Sequence, residues 1–318
     1  MGVNLFMHFK TKTIHGKQYK YIVESFRLPD GKIKKNEILF KQQNKKRLLE
    51  IFNEKKKKAF FEYIIKKYKA DSVFTKIEFS KIEDIRIDYS NILKKISNIN
   101  KKDLFERFTA NFTYESNALE GNSLTLKDVA IVIFEKSAIK GKDLREIYET
   151  RNSRKVVEGI LNKKFDISEK AIINMHKILV KDLDVETGYK KFPNVLVGKK
   201  IRLTPPEKVK EEMARLLKWH DENKLKIHPL QLASLFHGRF EQIHPFQDGN
   251  GRVGRFLINI MLVNNNYPPL IIRKSQRLFY LTALEKFDKD YPKTLERFLL
   301  EKFKETYRKF FEIYVKYL

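Results

Sequence analysis

Residues 240–257 read FEQIHPFQDGNGRVGRFL, a run that sets a histidine, an acid, glycines, an asparagine and two arginines between apolar stretches. From Arg252 to Val263 a period of 3.6 puts Val253, Phe256, Leu257, Ile260 and Met261 on one apolar stripe and Arg252, Arg255 and Asn259 on an adjoining polar edge. The spacing predicts a helix anchored by its stripe and offering two guanidinium groups along one side. Just before it, DGNG places Gly249, Asn250 and Gly251 at the helix N-terminus, where backbone N–H groups and the helix dipole favour an anion. No G-x-x-x-x-G-K-[ST] occurs, so the cradle is not a Walker loop. Two arginines able to fork phosphate oxygens and the single acid Asp248 point to a di- or triphosphate carried with Mg2+, which is commonly held by one or two carboxylates and by the phosphates themselves. His244 follows a helical pattern seated on Ala233, Phe236 and Phe240. An imidazole titrates near neutrality and can take a proton from an attacking hydroxyl. Each group has an ordinary structural use when taken singly; in this fixed order they read as transfer from a nucleotide to an alcohol.

HPFQDGNGRVGR, His244 to Arg255, resembles the signature H-P-F-x-[DE]-G-N-G-R-x-x-R of the Fic family, and the wider resemblance runs from about Tyr114 to Arg297. It implies a helical bundle and transfer of AMP from ATP to a Ser, Thr or Tyr hydroxyl of a target protein, with release of pyrophosphate. It also implies roles: His244 as general base, Asp248 on Mg2+, Gly249, Asn250 and Gly251 around the α- and β-phosphates, and Arg252 and Arg255 on the β- and γ-phosphates. A phosphate-transferring branch of the family has lysine where Gly251 stands, which disfavours that chemistry here. TGYKKFPNVLVGKKIRLTPP, residues 187–206, reads as a β-hairpin among helices. By resemblance it is the flap whose edge, Val195, Leu196 and Val197, holds the target segment extended; Lys190 stands where arginine is usual. RLFYLTAL resembles the adenine-side helix, with Tyr280, Leu281 and Leu284 beside the base and Leu281 where an aromatic is common.

SNALEGN, residues 116–122, reads from its residues as a helix end, with Leu119 on the apolar side and Gly121 as a stop. Beside a Fic core it is similar to the inhibitory motif [ST]-x-x-x-E-[GN], matched by Ser116, Glu120 and Gly121. The resemblance implies that Glu120 pairs with Arg255 and blocks productive seating of the γ-phosphate. A self-inhibited protein adenylyltransferase is the first reading. Two others stay open: removal of AMP from a modified protein with Glu120 orienting water, and a nucleic-acid-binding regulator working through the basic N-terminal module. Tyr19, Lys20 and Tyr21 supply the residue types that the last would need.

Outward from the motif the chain reads as mainly α. VNLFMHF, KQYKYIVESFR and KIKKNEILF alternate and turn like a three-stranded meander, and a helical pattern runs from Lys45 to Ala70. This divides the chain into an N-terminal meander-and-helix module over 1–75, linking helices with the inhibitory segment over 76–125, and a catalytic core with C-terminal helices over 126–318. At 318 residues and 42% hydrophobic the chain can build a sizeable core. Its formal charge of +26 suits nucleic acid, anionic membranes or acidic partners, and equally a solvated lysine-rich surface. Cysteine is absent, which excludes disulfides and thiolate metal sites. With no targeting segment or spanning helix evident, the expectation is a cytoplasmic protein acting on a target protein, with no membrane and with a homodimer left open.

Overall fold

The computed structural model describes residues 7–40, 45–194 and 203–316. The chain separates into two compact units, Met1–Ile87 and Asp88–Leu318.

In the first unit, β1 (Met7–Ile14), β2 (Lys17–Arg27) and β3 (Ile33–Leu39) form an antiparallel sheet in that order. His15 and Gly16, at φ 47° and 75°, make the two-residue turn whose twist suits a right-handed hairpin. The register sets Lys12 opposite Tyr19 and Lys10 opposite Tyr21. Strand alternation therefore separates residues that adjoin in sequence. Tyr21 carries Lys12 over its ring at 4.9 Å, whereas Lys20 points to the opposite face, 4.3 Å from the Phe9 ring centre. Tyr19, Lys20 and Tyr21 thus do not share one strand face. Helix α1 (Lys45–Lys67) closes a small core in which Phe26, Leu28, Ala59, Phe60 and Ile87 pack together, Phe26 stacked on Phe60 at 5.8 Å.

Helix α2 (Lys76–Lys95) contains the division between the units. Next come α3 (Asn98–Leu119), the short α4 (Leu126–Ala130), which runs on into a π-turn, α5 (Leu144–Leu161) and α6 (Glu169–Leu179). They are followed by α7 (Pro206–Asn223), α8 (Pro229–Ile243), α9 (Asn250–Asn264), α10 (Arg277–Asp288) and α11 (Pro292–Thr306). The starts follow local chemistry: Ser97 and Ser168 accept from the backbone N–H three residues on, and α7, α8 and α11 each begin with proline. Among the described residues the architecture is mainly α with one small antiparallel sheet. Among the described residues, no helix is long and apolar enough to cross a membrane.

Helix α9 is the hub, packed by α3, α5, α6 and α8. Its predicted stripe is buried, and so is its predicted polar edge: Arg252, Arg255 and Asn259 are 2–3% exposed. The helix is enclosed on every side, so its arginines work in the interior. Phe256 meets Phe112 of α3 at 5.6 Å, and Phe108, one turn earlier on α3, stacks on Phe311. Helix α3, which ends in the Ser116–Glu120 segment, is in this way built into the core. Of the hairpin expected over 187–206, the edge Val195, Leu196 and Val197 lies outside the described residues, while the described 187–194 and 203–205 form no strand and Pro206 opens α7. Within 187–194 Tyr189 stacks on Phe246, and Asn194 Nδ2 donates to the carbonyl of Gln247 at 2.9 Å.

Candidate active site

Helix α8 stops at His244, whose left-handed backbone (φ 50°, ψ 62°) turns the chain out of the helix and into Pro245. Gly249, at φ 81°, turns it back and caps α9. Asn250 locks the loop between: its Oδ1 accepts from Phe246 N at 2.8 Å and its Nδ2 donates to Phe246 O at 2.7 Å. Those two bonds hold the loop in shape and use one amide hydrogen and one acceptor site of the side chain. His176 of α6 supports the loop from below, stacked on Phe246 at 3.9 Å, with its Nε2–H donating to Asp248 O at 3.0 Å. Burial pushes the His176 imidazole down to about 4, so it is neutral in that bond.

Around this turn the polar groups converge. His244 Nδ1 lies 3.9 Å from Glu241 Oε2, and Asp248 Oδ1 accepts from Gly249 N at 2.5 Å. Asp248 Oδ2 faces two guanidinium groups, Arg145 Nη2 at 2.8 Å and Arg252 Nη2 at 3.6 Å. Arg252 Nη1 lies 3.3 Å from Glu149 Oε1, yet Nη1 and Nε are buried without a hydrogen bond among the described residues. Such donors buried beside a helix N-terminus suit an anion. Gly251 keeps the backbone approachable: a Cβ there would lie 2.3 Å from Glu120 Oε1 and 3.0 Å from Arg255 Nη1. These features fit a nucleotide's phosphates. Among the described residues no group of three or more acidic or histidine side chains could hold a metal by itself. The single carboxylate of Asp248 fits an ion whose remaining ligands are phosphates and water.

Arg255 is fully engaged. Its Nε donates to Ser116 Oγ at 3.0 Å, and its Nη2 donates to Ser116 O at 2.8 Å and to Glu120 Oε1 at 2.7 Å. Burial by itself would raise the Glu120 carboxyl, but the charge and hydrogen bond of Arg255, with Arg252 adding, hold it below its ordinary 4.5. Glu120 caps α3 ahead of Gly121 and keeps 43% of its side chain exposed. The end of α3 is seated from the other side by Lys274 N donating to Glu115 Oε2 at 2.7 Å and by Arg277 Nε donating to Leu119 O at 2.9 Å.

Of the residues mapped to the adenine side, Tyr280 and Leu284 are buried and Leu281 is half-buried. Tyr280 bonds through its hydroxyl to His237 Nε2 at 2.8 Å. Burial, with Arg255 adding, drives His237 down to about 3. Sequence reasoning missed Arg145, Glu149, His176, His237 and Glu241, which reach the site mostly from other helices. Only Glu241, three residues before His244, carried a local signal.

Residues 166–262 match the model of the Fic/DOC family. The chain contains a Fic domain. Protein adenylyltransferase fic-1 of Caenorhabditis elegans is 33% identical over 182 residues, which is 54% of this chain and 35% of that relative. Protein adenylyltransferase Fic of Drosophila melanogaster is 34% identical over 177 residues, 54% of this chain and 36% of the relative. The chain thus spans about a third of the length of these curated relatives. A Fic domain containing signaling protein from Bacteroides thetaiotaomicron superposes with a TM-score of 0.65 at 25% identity, covering 71% of this chain and 94% of that one. In this chain the Fic domain carries His244 through Arg255 at its centre, while Ser116 and Glu120 come from outside the matched segment.

Proposed function

We propose that this chain is a self-inhibited protein adenylyltransferase, which moves AMP from ATP to a Ser, Thr or Tyr hydroxyl of a target protein. The observation that carries the reading is the convergence of His244, Asp248 and the first turn of α9 with the buried, unbonded nitrogens of Arg252. The names of the curated relatives, protein adenylyltransferases, support it.

In this reading the first-turn N–H groups of α9 and Arg252 hold the polyphosphate, and Asp248 is the carboxylate for Mg2+. Magnesium, when bound, neutralises phosphate charge and fixes orientation. His244 accepts the proton of the incoming hydroxyl as its oxygen bonds to the α-phosphorus and the bond to the departing pyrophosphate breaks. Glu241, near Nδ1, stabilises the imidazolium as it forms. Arg255, held by Ser116 and Glu120, is withheld from the γ-phosphate, and this contact is the brake.

The test is to incubate wild type, Glu120→Gly and Glu120→Gly/His244→Ala with α-labelled ATP, Mg2+ and candidate target proteins. Strong labelling by Glu120→Gly alone is expected. Equal labelling by the double variant would remove the base from His244, and no gain in Glu120→Gly would remove the brake. A second reading, removal of AMP, draws on one observation: an ionised, part-exposed carboxylate faces the N-terminus of α9, where it could orient water. Loss of AMP release from a labelled target in Glu120→Gly would favour it.

A further inference from the structure

Asp248 Oδ2 lies between two guanidinium groups that differ in their freedom to leave. Arg252 is 2% exposed, enclosed in α9 and flanked by Glu149. Arg145, on the first turn of α5, is 53% exposed; its Nη2 donates to Asp248 Oδ2 at 2.8 Å and its Nε stands 3.5 Å from Glu149 Oε1. Asp248 itself is 39% exposed. A guanidinium donating to that Asp248 oxygen sets a positive charge beside any divalent cation bound there and so weakens the cation's hold. Half-exposed ion pairs contribute little and re-form readily, so the group that yields is Arg145.

We propose that Arg145 is a positioning residue that occupies Asp248 in the metal-free enzyme and is displaced by the divalent cation, weakening cation capture until nucleotide phosphates supply the remaining ligands. The inference rests on Asp248 being the carboxylate that meets the metal. Arg145 Nε and Arg252 Nη1 face the same Glu149 Oε1, at 3.5 and 3.3 Å, so an effect on the polyphosphate side is separated from one at Asp248 by the metal-free titration and the double variant below. The arginine is then a check on the metal, separate from the brake that Glu120 places on Arg255.

The test is binding of the Mn2+ complex of α,β-methylene-ATP, followed by calorimetry, in wild type, Arg145→Gln, Arg145→Lys, Asp248→Asn and the double variant Arg145→Gln/Asp248→Asn. Arg145→Gln should bind the complex about two- to tenfold more tightly than wild type. Arg145→Lys should return toward wild-type affinity. The gain should vanish in the double variant and when the analogue is titrated with EDTA in place of Mn2+. Unchanged or weaker binding by Arg145→Gln, or a gain that persists without metal, would overturn the proposal. Wild-type binding by Asp248→Asn would instead overturn the assignment of Asp248 on which it rests.

Discussion

Glu120 meets Arg255 through a single oxygen, and in the proposed function this contact sets the resting state. The Glu120 pKa is depressed, so the Arg255 contact is complete above the ordinary carboxyl value of 4.5 and is lost only as pH falls through a folded value below that. The ratio of Glu120→Gly to wild-type transfer rates should therefore stay constant between about pH 6 and 8. A ratio that collapses toward unity at the acid end would show a brake that opens by protonation. Gly251 makes a complementary test. A methyl there meets only the ends of two flexible side chains, Glu120 and Arg255, and alanine suits a helix better than glycine by about 0.5–1 kcal/mol. Gly251→Ala should therefore keep or raise the melting temperature while weakening ATP binding about tenfold or more, measured calorimetrically. His244, Asp248, Arg252 and Arg255 were legible because they stand within one turn-helix segment whose order carries the chemistry. Arg145, Glu149 and His176 were not, because they lie between 72 and 103 positions from Asp248 or Arg252 and look like ordinary helix-face residues until the helices pack.

The helical patterns at α1 and α9 were legible from periodicity; the prolines that open α7, α8 and α11 were not read as helix starts, and Pro206 was taken into the hairpin over 187–206. The placement of α9 was not legible. Its polar edge of Arg252, Arg255 and Asn259 reads as a surface, and only the ring of α3, α5, α6 and α8 makes it interior. That burial gives the end of α3 its leverage, because Arg255 must be satisfied by whatever covers it, and Ser116 and Glu120 do so. The helix end is in turn held by Arg277 through the carbonyl of Leu119. Arg277→Ala leaves the Glu120 carboxylate in place but loosens its support, at a cost of about 1–3 kcal/mol for a charged hydrogen bond. Transfer by Arg277→Ala should rise a few-fold over wild type and stay well below Glu120→Gly. Added to Glu120→Gly, Arg277→Ala should give no further gain. An additional gain in the combined variant would place Arg277 in the nucleotide site instead of behind the helix.

Acid sensitivity belongs to the Asp88–Leu318 unit as a whole. His176 and His237 are fully buried and neutral, one bonded to the motif loop and stacked on Phe246, the other bonded to Tyr280 against α10. Desolvation lowers the first to about 4 and the second to about 3, from an ordinary 6.5. Between 6.5 and those values the unfolded chain takes protons that the folded unit refuses, so stability is full above 6.5 and falls with pH below it. At about 1.4 kcal/mol per pH unit each, the two imidazoles together remove about 4 kcal/mol on going from neutral to about pH 5. Carboxylates held low, such as Glu305 at about 2, contribute only at pH values below their ordinary 4.5 and leave this window to the histidines. The single tryptophan, Trp219 on α7 with Arg239 over its ring at 3.8 Å, reports unfolding of this unit alone. Urea titrations followed by its fluorescence should show the midpoint dropping steadily from about pH 6.5 to 5, and the two imidazole resonances should not titrate in the folded protein over that range. A flat midpoint, or either resonance titrating near its ordinary value, would mean that the motif loop and the Tyr280 side open to water more readily than their burial allows.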